Sequence, residues 1–101
     1  MASNFKVSIY RNSENIHIKL FGDFDGTSAF ELINLVKESA GAVSKIFVHT
    51  SCLNRIFPFG RDVFLSNINF LDGNSALLLL TGDEASSLIP ENNKQIRALS
   101  C

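Results

Sequence analysis

The residues whose types could do chemistry follow the apolar runs of the chain. Asp23 and Asp25 come after one run, and His49 and Cys52 lie at the end of another. Carboxylates, thiols and imidazoles are the groups that proteins use as nucleophiles and as general acids or bases. No third group is placed to orient His49, however, and a cysteine at a strand end is more often a small buried side chain. The pattern therefore predicts no thiol enzyme and no catalytic residue at His49 or Cys52.

The run Asp23-Phe24-Asp25-Gly26-Thr27 resembles the D-x-D-G-T motif of haloacid-dehalogenase-type phosphatases. That resemblance implies a magnesium-dependent phosphatase in which Asp23 attacks phosphorus and Asp25 acts as acid and base. Against it, Gly22 interrupts the apolar run, the S-x-x-E spacing from Ser28 is a capping box, and about 100 residues is short for that fold. The favoured interpretation has both aspartates shaping a turn and capping a helix. The phosphatase is kept as the alternative function.

Composition limits the classes of protein to which the chain can belong. With 101 residues, 46% of them hydrophobic and 19% charged, it is expected to form a single domain over residues 1–101. No apolar run approaches the roughly 20 residues that span a bilayer. The first residues lack the basic start and apolar core of an export signal, so we expect a cytoplasmic protein without membrane insertion.

The charge of the chain and the spacing of its cysteines limit which partners and cofactors we expect it to bind. The formal net charge is -1, and the nine lysines and arginines are scattered singly, which argues against binding to nucleic acid. Cys52 and Cys101 have neither the spacing of a zinc site nor the density of a disulfide scaffold. We therefore predict no cofactor and no metal.

Hydrophobic periodicity predicts the elements of the first half of the chain. A period of two over Phe5 to Tyr10 and again over Ile16 to Leu20 indicates a hairpin, with His17 on the solvated face. A break at Gly22 to Gly26 precedes a helix that starts at the capping box, carries an apolar stripe from Ala29 to Ala40 and stops at Gly41. Three consecutive apolar residues within Lys45 to His49 predict a buried central strand.

The second half of the chain predicts further parallel units. An apolar elbow at Ile56 to Gly60 opens a second helix that runs to about Asn69, and Ala76 to Leu80 forms another buried strand. A capping pattern at Thr81 to Glu84 predicts a short third helix, while residues 95–99 are left as either an edge strand or a tail. Polar turns are expected at residues 72–74 and 91–94. The predicted class is α/β, with one mixed sheet of an N-terminal hairpin and parallel βαβ units and with helices packed on it.

Two segments on these elements resemble the STAS domain of anti-sigma factor antagonists. IKLFGDFDGTSAFELINLV, residues 18–36, looks like the strand, glycine, acidic residue and helix that open that domain, and KIFVHTSCLNRIFPFGRDVF, residues 45–64, is similar to its phosphoacceptor segment. On this match, Asp25 corresponds to the acidic residue after the second strand and Gly60 to the glycine that opens the second helix. Where the family has aspartate and a phosphorylatable Ser or Thr, this chain has Phe57, Pro58 and Phe59. The resemblance thus implies a divergent STAS-like domain without the usual phosphorylation switch.

The resemblance and the residue types together predict a protein-binding surface. Aromatic residues beside arginines are the composition of a protein contact, and we expect one of Ile56, Phe57 and Phe59 to be exposed. The predicted function is a non-enzymatic regulatory module in bacterial signalling, which binds an anti-sigma factor, a kinase-like protein or a transporter component and is able to form a homodimer. The predicted partner-binding residues are Asp23, Asp25, Arg55, Phe57, Pro58, Phe59, Gly60, Arg61, Asp62 and Phe64.

Overall fold

The computed structural model describes residues 4–70, 76–90 and 96–99. Within these ranges the strands are β1 (Lys6–Arg11), β2 (Asn15–Phe24), β3 (Lys45–His49), β4 (Leu53–Ile56), β5 (Leu77–Thr81) and β6 (Ile96–Leu99). The α-helices are α1 (Gly26–Ala40) and α2 (Pro58–Asn67), and 3₁₀ turns cover Ile68–Phe70 and Ala85–Leu88. No described helix is long and apolar enough to cross a bilayer.

The sheet has the order β1-β2-β3-β5-β6, and β4 pairs with the far end of β2. The β1 and β2 strands form an antiparallel hairpin, and the other pairings are parallel. This arrangement confirms the predicted mixed sheet and places β3 in its middle, as its consecutive apolar residues indicated. The carboxyl ends of β2, β3 and β5 meet at one edge, where the loops carry the candidate site residues.

One face of the sheet supports the core. The inward residues of β2, β3 and β5 pack against the apolar stripe of α1, which includes Leu32 and Val36, and against Phe64 of α2. Ile18, Leu20, Ile46, Val48, Leu78 and Leu80 are all fully buried on this face. The opposite face carries exposed and half-buried side chains on β2 and β3, whereas Leu79 and Thr81 of β5 are buried there. The α1 helix follows its predicted stripe and ends at Gly41, as expected.

The junction between β2 and α1 differs from the prediction. The β2 strand does not break at Gly22 but continues to Phe24, because Gly22 adopts a φ of +89° and leaves room for the backbone carbonyl of Asn4. The predicted cap at Ser28 is also wrong. Asp25 is the N-cap residue, since its carboxylate accepts the Ser28 N–H at 2.9 Å, and the helix starts three residues earlier.

Three further elements differ from the sequence prediction. The β4 strand was not predicted, and α2 starts at Pro58 rather than at Gly60 and ends at Asn67. The third helix is a single 3₁₀ turn over Ala85–Leu88, and no side chain caps it. Of the two alternatives for residues 95–99, the structure forms the strand β6, parallel to β5. The turns predicted at 72–74 and 91–94 lie outside the described residues.

The start of α2 is docked on the junction of β2 and α1. The Phe57 N–H donates to the carbonyl oxygen of Phe24 at 3.0 Å, which continues the pairing of β4 with β2. Gly60 is buried at this contact, and a Cβ there would lie 2.5 Å from the Phe24 oxygen and 2.8 Å from the Asp25 carbonyl carbon. Only glycine lets the two backbones approach this closely.

We therefore expect Gly60→Ala to lower the free energy of unfolding by about 1–3 kcal/mol, because the added methyl group must push backbone apart. The matched control is Gly41→Ala, where nothing lies within 4 Å of the new Cβ and φ is -86°. The control should lose no stability. Urea denaturation of the three proteins checks this, and equal stability of Gly60→Ala and the wild type would contradict the docking geometry.

Candidate functional site

The elbow, defined as Ile56–Gly60, is held in shape by local backbone rules. Phe57 is the N-cap residue of α2, with φ -74° and ψ 144°, the extended conformation that a residue before proline favours. Pro58 occupies the first helical position, where a missing N–H costs nothing. The Arg61 N–H then closes the first turn on the Phe57 carbonyl oxygen at 3.0 Å. The elbow is therefore a rigid start to the helix.

Phe59 is the elbow residue that reaches solvent. Its side chain is 71% exposed, whereas Ile56 and Phe57 are half-buried, so one of the three apolar residues is exposed, as expected. The ring nevertheless has a support, because a Cβ on Gly26 would lie 2.6 Å from its Cε2 atom. Phe59 thus lies over the bare backbone of the first residue of α1. The ring is therefore supported by α1 on one side and open to solvent on the other.

Arginines form the rim of the elbow. The Arg55 guanidinium carbon lies 5.4 Å from the centre of the Phe57 ring, a cation–π contact on the exposed side of β4. Arg61 and Asp62 form an ion pair at 3.6 Å in which both side chains are exposed. Exposed pairs of this kind contribute little to stability, so these charges can pair with other groups at small cost.

Phe30 extends the apolar surface and was missed from the sequence. It is 51% exposed on α1, four residues after Gly26 and therefore on the same side of the helix. Its signal was present, since Phe30 is a large apolar residue outside the buried stripe of α1. We define the elbow surface as the exposed residues Arg55, Pro58, Phe59, Arg61, Asp62 and Phe30, together with half-buried Phe57.

Two predicted site residues lie inside the protein instead. Phe64 is fully buried and makes an edge-to-face contact with Phe24, with the ring centres 6.3 Å apart. It is a core residue that no partner reaches. Gly60 is buried against the β2–α1 junction, so its part in the surface is to let the helix dock there.

Of the two predicted aspartates, Asp25 has a structural role through its carboxylate. Asp25 Oδ1 accepts both the backbone N–H of Ser28 and its hydroxyl, each at 2.9 Å. Asp23 is half-buried near the end of β2, and its backbone N–H donates to Asn4 Oδ1 at 3.1 Å. In the part of the chain that the structure describes, no three His, Cys, Asp or Glu side chains come together to hold a metal ion. The geometry supports a capping role for Asp25, whereas Asp23 lies within β2 and neither shapes a turn nor caps a helix.

A cavity of about 500 Å³ lies beside the elbow at the carboxyl edge of the sheet. It is lined by Thr50, Ser51, Leu53, Asn54, Arg55, Ile56, Gly82, Asp83 and Glu84. At its base, the buried Thr50 hydroxyl donates to the Thr81 carbonyl oxygen at 2.7 Å, and Gly82, with φ +109°, packs against that hydroxyl. These contacts tie the ends of β3 and β5 together, so Thr50 has a structural role.

The face of the sheet away from the helices brings His17 and His49 together. His17 Nδ1 lies 2.9 Å from His49 Nε2, and His49 Nδ1 lies 2.7 Å from the Thr81 hydroxyl. The prediction of a simply solvated His17 is therefore incomplete, since His17 is half-buried and hydrogen-bonded. Burial lowers the pKa of His49 below its ordinary value, and the neighbouring charges of His17 and Lys19 lower it further.

Comparison with known proteins identifies the fold. No protein-family model and no curated protein matches the sequence. Among solved structures, the anti-sigma factor antagonist SpoIIAA in its unphosphorylated form aligns with a TM-score of 0.54 and 19% identity, over 77% of this chain and 72% of that one. A crystal structure of Mglu aligns with a TM-score of 0.62 and 13% identity over 85% of this chain, and Mglu in its native form with 0.55 and 10% over 91%.

The chain spans 20% and 23% of the length of the two Mglu chains, and at these identities the likeness concerns the fold alone. The chain shares the α/β fold of SpoIIAA, and an α/β fold with a mixed sheet is the class that the sequence predicted. None of these findings supports the phosphatase alternative.

The capping role of Asp25 has a measurable consequence. Asp25→Ala should destabilise the protein by about 1 kcal/mol, because the first turn of α1 loses its acceptor for the Ser28 N–H. Asp25→Ser keeps a capping oxygen and should retain most of that stability. Thermal or urea denaturation compares the two variants with the wild type. Equal losses in both would show that the carboxylate charge, rather than capping, is what matters.

The lowered pKa of His49 predicts a pH dependence of stability. The unfolded chain binds this proton more tightly than the folded protein does. Neutral His49 therefore makes its full contribution to the free energy of unfolding at pH values above 6.5, its ordinary pKa. It is lost as the pH falls below that value toward the lower pKa of the folded state. Urea denaturation at about pH 7.5 and about pH 5 should therefore show a steeper fall for the wild type than for His49→Asn. Parallel pH profiles would contradict this assignment.

Proposed function

We propose that this chain, as one STAS-like domain over residues 1–101, is a non-enzymatic regulatory module that binds another protein through the elbow surface. The observation that carries the proposal is Phe59, a phenylalanine that is 71% exposed at the start of a rigidly docked helix. The likeness of the fold to the anti-sigma factor antagonist SpoIIAA supports a regulatory role. The proposed setting is the bacterial cytoplasm, and the proposed partner is an anti-sigma factor, a kinase-like protein or a transporter component.

The chemistry of the elbow surface suits a protein partner. Aromatic and arginine side chains account for most of the binding energy at protein interfaces when the partner buries them away from water. Here Phe59 supplies the apolar anchor, Phe30 lies on the adjoining face of α1, and the exposed arginines Arg55 and Arg61 supply charge at the rim. Because Pro58 and the docked Gly60 already fix the backbone, little conformational entropy remains to be lost on binding.

The same residues support regulation without the usual phosphoserine. A phosphate at a helix N-terminus adds about -1.5 to -2 charges and is held by the free amides there. The elbow offers Phe57, Pro58 and Phe59, none of which has a hydroxyl group. Nearby Thr50 is buried and hydrogen-bonded to Thr81. We therefore propose that binding depends on apolar contact and that its control, where present, comes from elsewhere than the elbow.

The test is Phe59→Asp in a pull-down with tagged protein, followed by measurement of the affinity of the recovered partner. A charge buried in the contact should weaken binding at least 30-fold, the effect of removing a contact worth about 2 kcal/mol. Tyr10→Asp is the matched control, since Tyr10 is 66% exposed but lies on the hairpin at the other face of the sheet. It should leave the affinity unchanged.

Circular dichroism would show that both variants fold. Equal affinity of folded Phe59→Asp and the wild type would exclude the elbow surface. Recovery of only this chain itself, lost in Phe59→Asp, would identify the partner as a second copy and the function as homodimer formation.

A further inference from the structure

The sheet face opposite the helices, called here the open sheet face, gathers planar rings in register. Direct cross-strand pairing aligns Tyr10 of β1 with His17 of β2, and His17 with Phe47 of β3. His49 lies two residues beyond Phe47 on the same strand and therefore on the same face. Four residues from three strands thus form one ring cluster.

Three of the four rings, those of His17, Phe47 and His49, share an orientation. The Phe47 and His17 planes differ by 7°, with centres 4.6 Å apart, so these two rings stack. The His17 and His49 planes differ by 2°, and their centres are 5.2 Å apart although their nearest nitrogens are only 2.9 Å apart. Those two imidazoles therefore lie edge to edge in nearly one plane. Tyr10, whose ring centre lies 6.2 Å from that of His17 and whose plane is tilted by 50° to it, is the exposed end of the cluster.

Lysines frame the cluster on the same face. Lys45 precedes Phe47 by two residues, Lys19 pairs with His49, and Lys6 lies one step further on β1, opposite Phe21. All three side chains are exposed, and the structure gives none of them an ion pair within the described ranges. Lys19 and Lys45 are offset by four residues along the strands, roughly 13 Å, and so bracket the rings.

No carboxylate pairs with these lysines on the open sheet face of the described strands. The cross-strand rows through Lys19, His17 and Lys45 contain no aspartate or glutamate at any described position of the face. The acidic residues next to these rows are Glu14, whose carbonyl oxygen accepts the Lys45 N–H at 3.4 Å, and Asp23, which pairs in register with Arg55 of β4. The open sheet face is therefore locally cationic although the whole chain has a net charge of -1.

From this geometry we propose that the open sheet face binds single-stranded nucleic acid, with bases stacked on Tyr10 and the adjoining rings and phosphates on Lys6, Lys19 and Lys45. Rings and cations interleaved on one surface are the two components that single-strand binding requires, since bases stack on aromatic planes and the backbone pairs with basic groups. An acidic peptide uses the lysines but not the rings. In a duplex the bases are stacked on one another, so the rings of the cluster cannot stack on them.

This proposal revises the sequence argument against nucleic acid. The lysines at 6, 19 and 45 are scattered singly along the chain and form no basic run in the sequence. Strand pairing places them on one face, and no acidic residue pairs with them in the described strands. The site is separate from the elbow surface, which lies on β4, on the start of α2 and at Phe30 of α1.

The test is fluorescence anisotropy with a labelled single strand of about 12 nucleotides, as RNA and as DNA, titrated with the full chain. With three phosphate contacts, the affinity should fall roughly 20-fold between about 50 mM and about 200 mM salt, a logarithmic slope near -2 for a single strand. Tyr10→Ala should weaken binding about 5-fold or more through lost stacking. Lys19→Gln should lower the slope by about 0.7.

Phe59→Asp is the control and should bind the oligonucleotide like the wild type, which separates this site from the proposed protein-binding function. Preference for RNA over DNA would show contacts with the 2′-hydroxyl, and equal affinity would assign the site to single strands of either kind; both outcomes support the proposal. Absence of binding would overturn it. Equal affinity for a duplex or a polyaspartate peptide, with Tyr10→Ala unchanged, would also overturn it and leave only a general cationic surface.

Discussion

The structure depends on the close approach of two backbones at Gly60. Because no side chain stands between α2 and the Phe24 carbonyl, the end of β2, the start of α1 and the start of α2 converge on one point. Asp25 caps α1 at the same point. Gly60 faces inward, and Phe64, four residues later on the same side of the helix, enters the core. The preceding residue, Phe59, is thereby turned outward across Gly26.

The close approach at Gly60 also orders the elbow surface, which we propose as the protein-binding surface. The docked helix start needs no side-chain cap, since Pro58 and the extended Phe57 set the backbone and the β4 pairing extends into it. A protein surface built in this way is already ordered before a partner arrives, which favours affinity. The open sheet face is ordered by a different element, the strand register, and its hydrogen-bonded histidines hold the neighbouring rings parallel. The two surfaces therefore rest on independent parts of the fold.

The sequence predicted those elements whose signal is local and strong. The consecutive apolar residues of β3 and β5 indicated buried parallel strands, and the stripe of α1 indicated its buried face. The β4 strand could not be predicted, because Leu53–Ile56 has no alternating pattern and forms only by pairing with the part of β2 beyond Gly22. At the start of α1, the capping-box spacing indicated Ser28, but β2 extends to Phe24 and the next residue, Asp25, is the N-cap. The burial of Phe64 could have been predicted, because it lies four residues after Gly60 on the same side of α2. The His17–His49 contact could not, because it depends on how β2 pairs with β3, which the sequence of neither strand reveals.

The central claim is that the elbow surface is where this protein meets its partner. Amide hydrogen exchange, followed in the free protein and in its complex with the recovered partner, tests that claim most directly. The account predicts slower exchange in the complex at the first turns of α2 and at β4, and unchanged exchange in the β1–β2 hairpin. Slowed exchange confined to the hairpin, with the start of α2 unaffected, would contradict it and place protein recognition on the open sheet face.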